Sequence, residues 1–384
     1  MSSFNIHQQV FGLSLASNLL TADKGTEAEL QKKLDSKLQP LTDIIGNWEV
    51  VWGPRVWKSK PTDAGTPPDR VWYIAHNPSA NFGDRSYDTY VLAIAGAAPD
   101  SEENYTIATM VNKVVDFNQW VQAGITTVPL EAIGVDQAKP YLSYGAALGM
   151  STLVTVPSPG GQTIIEFLAT IPPTSRLVFT GHSLGGVLSP IVALALLRGG
   201  LLRNAPANVF TYPTAGPSPG NGPFATMFAE NFPLISNGPA AYQMWNGNLA
   251  NTHDVVPYSW NIDSLRAIPT LYGTLPPELN DKVVGLVNDA IDQANASGLV
   301  YVPLQGQKFS TAAPDTPQTK DELLQIITQE HIAAYELLIV SPSITPLHEI
   351  ASAMAQARGL PIFGELYQAH LEGNGRGKLE KEGA

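Results

Sequence analysis

The sequence predicts an α/β fold built around a mostly parallel sheet. The first observation is a strand, helix and strand in succession between Arg176 and Tyr212, a spacing that is typical of a βαβ unit with parallel strands. The second is composition: 44% of the 384 residues are apolar, which can fill a large core and excludes a disordered or fibrous chain. The third is the lack of any fixed-period repeat, which excludes solenoids and propellers.

The first part of the chain predicts helices and then strands. Residues 1–45 are mostly helical in pattern, and Glu27–Leu38 places Leu30, Leu34 and Leu38 on one face. We therefore expect a helical extension that packs on the main body. Runs rich in β-branched and aromatic residues then predict the first strands of a sheet, at Trp48–Trp57, Arg70–Ala75 and Thr89–Ala95.

The middle of the chain predicts the βαβ unit itself. The apolar helix of this unit stops before two consecutive glycines, which is the expected end signal. In order, the predicted elements are the helix Gln162–Thr170, the strand Arg176–Thr180, the helix Leu184–Leu197 and the strand Asn208–Tyr212.

The turn between strand and helix, Thr180–Gly186, contains a Gly-x-Ser-x-Gly elbow. Such an elbow forces Ser183 onto a sharp turn that exposes its hydroxyl above the sheet. Gly181 and Gly185 are needed because a side chain at either position would collide with neighbouring backbone. The helix that begins at Leu184 also brings free N–H groups beside the serine, where an oxyanion would form. A Gly-rich helix start without chemistry is the alternative, but the buried strand directly before the elbow favours Ser183 as a nucleophile.

A serine nucleophile needs a base and a carboxylate that orients the base, and in α/β-hydrolases the acid and then the histidine follow the serine along the chain. Four of the seven histidines are unsuitable because they precede the serine, lie in the elbow or adjoin the candidate acid: His7, His76, His182 and His253. The remaining candidate bases are His331, His348 and His370, and the candidate acids are Asp254 and Asp263.

The chain resembles the class 3 lipases, the α/β-hydrolase branch that includes fungal triacylglycerol lipases and related feruloyl esterases. The elbow Thr180–Gly186 repeats the family's elbow letter for letter, and the resemblance runs from about Thr89 to Leu338. Further segments match the family's motifs in order: Ala215-Gly216-Pro217 with Gly220-Asn221 and Phe224, then Asn251–Pro257, and finally His331 followed by Tyr335.

This resemblance implies an α/β-hydrolase-type fold with a mostly parallel central sheet, flanking helices and lid or cap insertions. It implies Ser183, Asp254 and His331 as the catalytic residues and the backbone N–H groups of Leu184 and Ala97 as the oxyanion hole. The family has Arg-Gly followed by Ser or Thr in the oxyanion loop. Ala97 therefore keeps the backbone donor but lacks the hydroxyl, which is a departure from the family pattern.

We expect one α/β-hydrolase domain at residues 46–372, after the helical extension at 1–45 and before a polar tail at 373–384. Insertions are expected near 100–150 and 277–298. The first insertion is either a lid or a second layer of core packing, and the helix Pro277–Ser297 in the second is either a cap element or a surface helix. The apolar residues on which the lid hypothesis rests are Phe117, Trp120, Val121 and Ile125.

Composition limits the remaining functions. The absence of cysteine removes disulfides, thiolate metal sites and cysteine nucleophiles, and neither a cofactor nor a metal is expected. The net charge of −12 with no cluster of Lys or Arg argues against a nucleic-acid partner. No apolar run is long enough for a membrane span, and no signal segment with a basic flank can be recognised. We therefore expect a soluble protein, and the sequence does not determine its localisation.

Together these patterns predict a serine carboxylic-ester hydrolase, a lipase or esterase, that cleaves acyl esters of lipids through an acyl-serine intermediate. Transient contact with a lipid surface is part of this prediction, whereas the oligomeric state does not follow from the sequence. The alternatives are a phospholipase or a feruloyl-type esterase on the same fold, and a non-catalytic α/β-hydrolase-like binding protein.

Overall fold

The computed structural model describes residues 4–98, 101–340 and 345–356, and a sheet of seven strands forms its centre. The strands of the described chain, numbered in order, are β1 (Glu49–Trp57), β2 (Arg70–Asn81), β3 (Ser86–Ile94), β4 (Val114–Asp116), β5 (Tyr141–Ser143), β6 (Arg176–His182), β7 (Val209–Thr214), β8 (Gly220–Asn221), β9 (Ile235–Ser236), β10 (Met244–Trp245), β11 (Asn248–Asn251), β12 (Tyr301–Val302) and β13 (Gly306–Phe309).

Helices cover both faces of this sheet and its insertions. In chain order they are α1 (Ile6–Ala16), α2 (Glu27–Gly46), α3 (Glu102–Thr109), α4 (Phe117–Ala123), α5 (Tyr144–Thr155), α6 (Ile164–Leu168), α7 (Leu184–Arg198), α8 (Gly222–Asn231), α9 (Ile262–Leu265), α10 (Pro277–Ala296), α11 (Lys320–Thr328), α12 (Ala334–Ile339) and α13 (Thr345–Gln356).

The central sheet has the strand order β1-β2-β3-β6-β7-β11-β13. The first three strands pair antiparallel, and the pairings from β3 to β13 are all parallel. Strands β6 and β7 lie side by side in parallel and are joined through α7, which is the predicted βαβ unit. The predicted α/β class with a mostly parallel central sheet flanked by helices is therefore confirmed.

Alternating side chains on the strands divide the core into two layers. On β3, Val91 and Ala93 belong to one apolar cluster, whereas Leu92 and Ile94 belong to the other. Helices α1, α2 and α12 contribute to the first cluster, and α5, α7 and α8 contribute to the second. Ten of the eleven residues of α1 are buried, so this helix is part of the core layer itself.

The crossover from β3 to β6 contains the first insertion. Its strands β4 and β5 join β8 and β12 in a separate antiparallel sheet of four strands. Phe117, Trp120 and Ile125 are buried and pack in the same cluster as α7. For these three residues the structure therefore favours core packing over a lid face.

The second insertion lies between Asp254 and His331. Its helix α10 buries Leu279, Val283 and Leu286 in an apolar cluster. The same cluster contains residues that directly follow Asp254 and residues of α11, which leads to His331. The helix therefore packs on both segments that bring the acid and the candidate base into the fold.

Two local predictions differ from the structure. The sequence pattern predicts the strand before Asp254 at Tyr242–Trp245, but only the last two of these residues form a strand, β10, and the strand that directly precedes Asp254 is β11. The sequence pattern also predicts a turn at His348, but this residue lies on α13, because Pro346 is tolerated in the first turn of a helix. His370 and the predicted tail 373–384 lie outside the described residues.

Within the described residues, no helix combines the length and apolarity that a bilayer crossing requires.

Candidate active site

The candidate nucleophile lies at the edge of the sheet where its parallel strands end. In the sheet register, Ile94 of β3 and Pro213 of β7 flank Gly181 of β6, so the carboxyl ends of three strands meet there. Ser183 follows β6 directly and has φ 59° and ψ −120°, a backbone conformation that is unusual for a residue other than glycine. Backbone strain of this kind concentrates at functional sites.

The glycines of the elbow are required by close backbone contacts. A Cβ atom at Gly181 would lie 2.3 Å from the carbonyl oxygen of Gly185, and one at Gly185 would lie 2.2 Å from the carbonyl oxygen of Ile94. Both positions therefore exclude any larger residue, and the collisions predicted from the sequence are present. The strand and the helix α7 can approach closely enough to make the sharp turn only because these side chains are missing.

Asp254 and His331 form a buried pair. The Nδ1 atom of His331 lies 2.9 Å from Oδ2 of Asp254, and the two side chains are 1% and 0% exposed. The carboxylate can only accept, so Nδ1 carries the proton and Nε2 of a neutral ring carries a lone pair. Among the described residues this buried Nε2 atom has no hydrogen-bond partner. Nε2 is therefore the atom of the pair that is free to accept a proton.

His182 connects this pair to the elbow. Its Nε2 atom lies 2.8 Å from the carbonyl oxygen of His331 and must be the donor, since a carbonyl only accepts. Its Nδ1 atom lies 2.9 Å from the hydroxyl of Thr214, and the rings of His182 and His331 are 4.8 Å apart. Burial, and secondly the nearby His331, lower the pKa of His182 well below its ordinary value of 6.5. His182 is therefore a neutral support that holds the His331 backbone beside Ser183.

Further donors fix the carboxylate of Asp254. The hydroxyl of Tyr335 donates to Oδ2 at 2.9 Å, and the N–H of Val256 donates to Oδ1 at 2.9 Å. Burial, and secondly the charge of Asp254, raise the pKa of Tyr335 well above 10, so the phenol keeps its proton. The sequence marked Tyr335 only as an aromatic residue after His331, and its bond to the acid was not predicted.

A π-helical turn, Gln329–Ala333, carries His331 between α11 and α12. The sequence pattern predicts a regular helix over Lys320–Ile339 in which Gln329 and Glu330 are solvated. Gln329 is exposed, but Glu330 is buried, so this expectation was wrong for Glu330. The wider turn brings the consecutive side chains of Glu330 and His331 both to the inside. Such π-bulges are frequent at functional sites.

The predicted oxyanion loop lies against the elbow. A Cβ atom built on Gly96 would be 3.4 Å from Cβ of Ser183. The N–H of Gly96 donates to Oδ1 of Asn18 at 2.9 Å, and this buried side chain follows α1. Within the described residues the N–H of Ala97 has no bonded acceptor, and the N–H of Leu184 is the first of α7 and has no acceptor inside the helix. Two donors thus stay available, and Asn18 was not predicted as their support.

The rival residues lie in other surroundings. His348 is 54% exposed and its Nδ1 atom lies 3.0 Å from Oε1 of Glu336. Asp263 is 92% exposed and pairs with Arg266. His253 binds Thr311 and does not contact the Asp254 carboxylate. Of the described candidates, His331 and Asp254 alone are brought together in the interior beside the elbow.

The chain is similar to known lipases in part of its sequence and in its structure. Residues 134–263 match the family model for Lipase (class 3), a span that contains Ser183 and Asp254 but neither Ala97 nor His331. The crystal structure of M37 lipase has a TM-score of 0.64 at 24% identity and covers 92% of this chain and 99% of its own. A lipase from Rhizopus microsporus var. chinensis has a TM-score of 0.39 at 16% identity and covers 65% and 68%. Among curated protein sequences, none matches the chain closely enough to count as a relative.

The likeness to M37 lipase confirms the α/β-hydrolase fold over most of the chain. The family match supports a lipase-type ester hydrolase. Residues 134–263 thus match the class 3 lipase model within a chain that has an α/β-hydrolase fold, in agreement with the sequence resemblance.

Proposed function

We propose that the chain is a serine carboxylic-ester hydrolase that cleaves acyl esters, those of lipids above all, through an acyl-serine intermediate. The observation that carries the proposal is the buried hydrogen bond between Asp254 and His331 beside the strained elbow of Ser183. The family match over residues 134–263 supports the same class of reaction. Contact with a lipid surface during turnover is part of the proposal.

The chemistry divides into acylation and deacylation. In acylation, Ser183 Oγ attacks the ester carbonyl while Nε2 of His331 takes the hydroxyl proton and then gives it to the leaving alcohol. In deacylation, water attacks the acyl-serine while His331 takes one of its protons, and His331 then returns this proton to Ser183 Oγ as the acyl–oxygen bond breaks and the carboxylic acid leaves. Asp254 holds the imidazole in the productive tautomer and stabilises its charged form. The N–H groups of Leu184 and Ala97 are the proposed donors to the oxyanion in both steps.

The acid side of the pH–rate profile follows from this role. The base must be unprotonated before it can accept the serine proton, so the rate falls as the pH drops through the range in which the imidazole is protonated.

The test uses purified protein, p-nitrophenyl esters of increasing acyl length and a fluorophosphonate probe. We expect ester hydrolysis and covalent labelling by the wild type. Ser183→Ala should keep the fold, because it removes only a hydroxyl, and should abolish both signals. Labelling that persists in Ser183→Ala would point to another nucleophile, and a wild type that neither hydrolyses nor labels would favour the non-catalytic binding protein.

The same protein distinguishes the ester classes. Triacylglycerol emulsions, phosphatidylcholine vesicles and methyl ferulate are offered in parallel with the p-nitrophenyl esters. A clear preference for the emulsion supports the triacylglycerol lipase. Preference for the phospholipid or for the ferulate would favour the phospholipase or the feruloyl-type esterase instead.

A further inference from the structure

Glu330 is a buried carboxyl group directly before the proposed base in the chain. Its side chain is 4% exposed. In the salt bridges of the described residues, each Lys or Arg pairs with an acidic residue other than Glu330. None of these salt bridges therefore gives Glu330 a cationic partner. Burying a carboxylate without a cation is costly, and a fold that retains one must hold it with hydrogen bonds.

Two short hydrogen bonds hold this carboxylate. Asn251 Nδ2 and Thr311 Oγ1 each donate to Oε2 of Glu330 at 2.6 Å. The Asn251 amide also donates to the backbone oxygen of Glu330 at 3.0 Å. Since the Thr311 hydroxyl donates its one proton to Glu330, His253 Nδ1 is the donor in its 2.9 Å bond to Thr311. All side-chain partners therefore donate towards Glu330, which is the pattern that an ionised carboxylate requires.

The backbone of Asn251 connects Glu330 to the candidate acid, Asp254. Its backbone N–H donates to the Tyr335 hydroxyl at 2.8 Å, and that hydroxyl donates to Asp254 at 2.9 Å. Its backbone oxygen accepts from the N–H of Asp254 at 3.1 Å. Because Glu330 and His331 are consecutive in the π-helical turn, the bonds to Asn251 tie the loop of the acid to the turn of the base.

The hydrogen-bonded network around the His331 turn contains two carboxyl groups, those of Asp254 and Glu330. Burial, followed by the charges of Asp254 and Glu330, raises the pKa of Tyr272, and burial lowers the pKa of His182, so both groups are neutral. The other titratable groups on the packed elements are Tyr335 and Glu336 on α12, His348 and Glu349 on α13, His253 and Tyr258 after β11, Lys308 on β13, and Lys320, Asp321 and Glu322 on α11.

We propose that Glu330 is a positioning residue of the candidate site, whose buried charge ties the Asp254 loop to the His331 turn and favours the protonated imidazole that forms during acyl transfer. This inference rests on the proposed ester hydrolysis. It assigns a role to a residue that the class 3 lipase motifs in this sequence do not include.

The kinetic test replaces the charge and keeps the shape. In Glu330→Gln, the amide oxygen still accepts from Asn251 and Thr311, but the charge is lost. We expect kcat on a soluble p-nitrophenyl ester to fall roughly tenfold, about 1.4 kcal/mol of barrier, with KM unchanged. The acid limb of the profile should move to lower pH, since loss of a negative charge disfavours the protonated imidazole.

Glu336→Gln is the matched control. Glu336 lies on the next helix, α12, and is also only 4% exposed. Its carboxylate binds His348 and none of the residues around Asp254. This variant should keep the wild-type kcat and acid limb. Glu330→Asp retains the charge on a shorter side chain, so its acid limb should stay in place while kcat falls.

A measurement without substrate separates this inference from the proposed function. Imidazole NMR resolves the seven histidines of the chain, and the His331 signals are assigned from their loss in His331→Gln. The ring of His331 should take up its proton at lower pH in Glu330→Gln than in the wild type, whether or not an ester is hydrolysed. An unchanged His331 titration, or unchanged kcat in both Glu330 variants, would overturn the role of Glu330. Failure of the wild type to hydrolyse any ester would instead overturn the proposed function.

If Glu330→Gln does not fold, Glu330→Asp decides the matter. A kcat within twofold of the wild type in that variant contradicts a positioning role. A lower kcat with an unmoved acid limb supports it.

Discussion

His331 and His348 lie close together in the chain but differ in what surrounds them. The ring of His331 is buried and bonded to Asp254, whereas the ring of His348 is 54% exposed and bonded to Glu336. Replacing a triad histidine removes the base and the acid–base relay together, so His331→Ala should lower kcat by about 10⁴-fold or more. His348→Ala should leave kcat within about twofold, because His348 binds Glu336 and lies outside the Asp254–His331 pair. Initial rates on one soluble ester compare both variants, and the reverse ranking would refute His331 as the base.

The sequence was most informative where chemistry is encoded in consecutive residues. Ser183 lies in a seven-residue elbow, and Asp254 lies in the match from Asn251 to Pro257. Glu330 could not be predicted in this way, because a lone glutamate in a helical pattern is normally solvated. Its burial depends on the π-helical turn and on Asn251, 79 residues away in the chain. Contacts of this range are tertiary and leave no local pattern.

At the scale of elements, the predicted strands and helices around the elbow agree with the structure in type and differ at their ends. The helix predicted at Glu27–Leu38 extends to Gly46 as α2, and the strand predicted at Arg70–Ala75 extends to Asn81 as β2. Strands β11 and β13, with four residues each, were not predicted. Segments this short are too brief to show a periodicity, and pairing across the sheet determines them.

Helix α1 is an element whose burial has a measurable consequence. Its His7 is 3% exposed and stacks on Trp245 with ring centroids 4.3 Å apart. Burial lowers the pKa of His7 from 6.5 to about 4. Between these values the unfolded chain binds a proton that the folded chain does not, so stability is lost as the pH falls through this window and is constant above it.

We therefore expect His7→Phe to flatten the acid side of the stability curve. From about pH 7.5 to about pH 5, the ring of His7 should account for about 2 kcal/mol of the lost free energy of unfolding in the wild type. Phe keeps an aromatic ring against Trp245 but cannot titrate. Urea unfolding of both proteins at the two pH values gives the difference directly. Parallel losses in the two proteins would mean that His7 does not titrate in this window.

At the scale of the whole molecule, large aliphatic side chains are exposed in the segment between α4 and β5. Val128, Leu130 and Ile133 are 69%, 78% and 105% exposed. Strand β5, which ends this segment, pairs with β8, and β8 follows the carboxyl end of β7. Three exposed aliphatic side chains within six residues fit contact with a neutral lipid surface. The net charge of −12 disfavours an anionic surface.

The triple variant Val128→Ser, Leu130→Ser and Ile133→Ser tests this surface. Each buried aliphatic side chain is worth about 1.5–3 kcal/mol, so binding to phosphatidylcholine vesicles should fall at least tenfold. Hydrolysis of a soluble short-chain ester should not change, because these side chains lie outside the Asp254–His331 network. Ile44→Ser serves as the control, since Ile44 is 52% exposed on α2, away from this segment. Cosedimentation with the vesicles measures binding. The activities of the triple variant on an emulsion and on a soluble ester are compared in parallel, and an equal loss of both would show that the substitutions disturb the catalytic site and not a lipid contact.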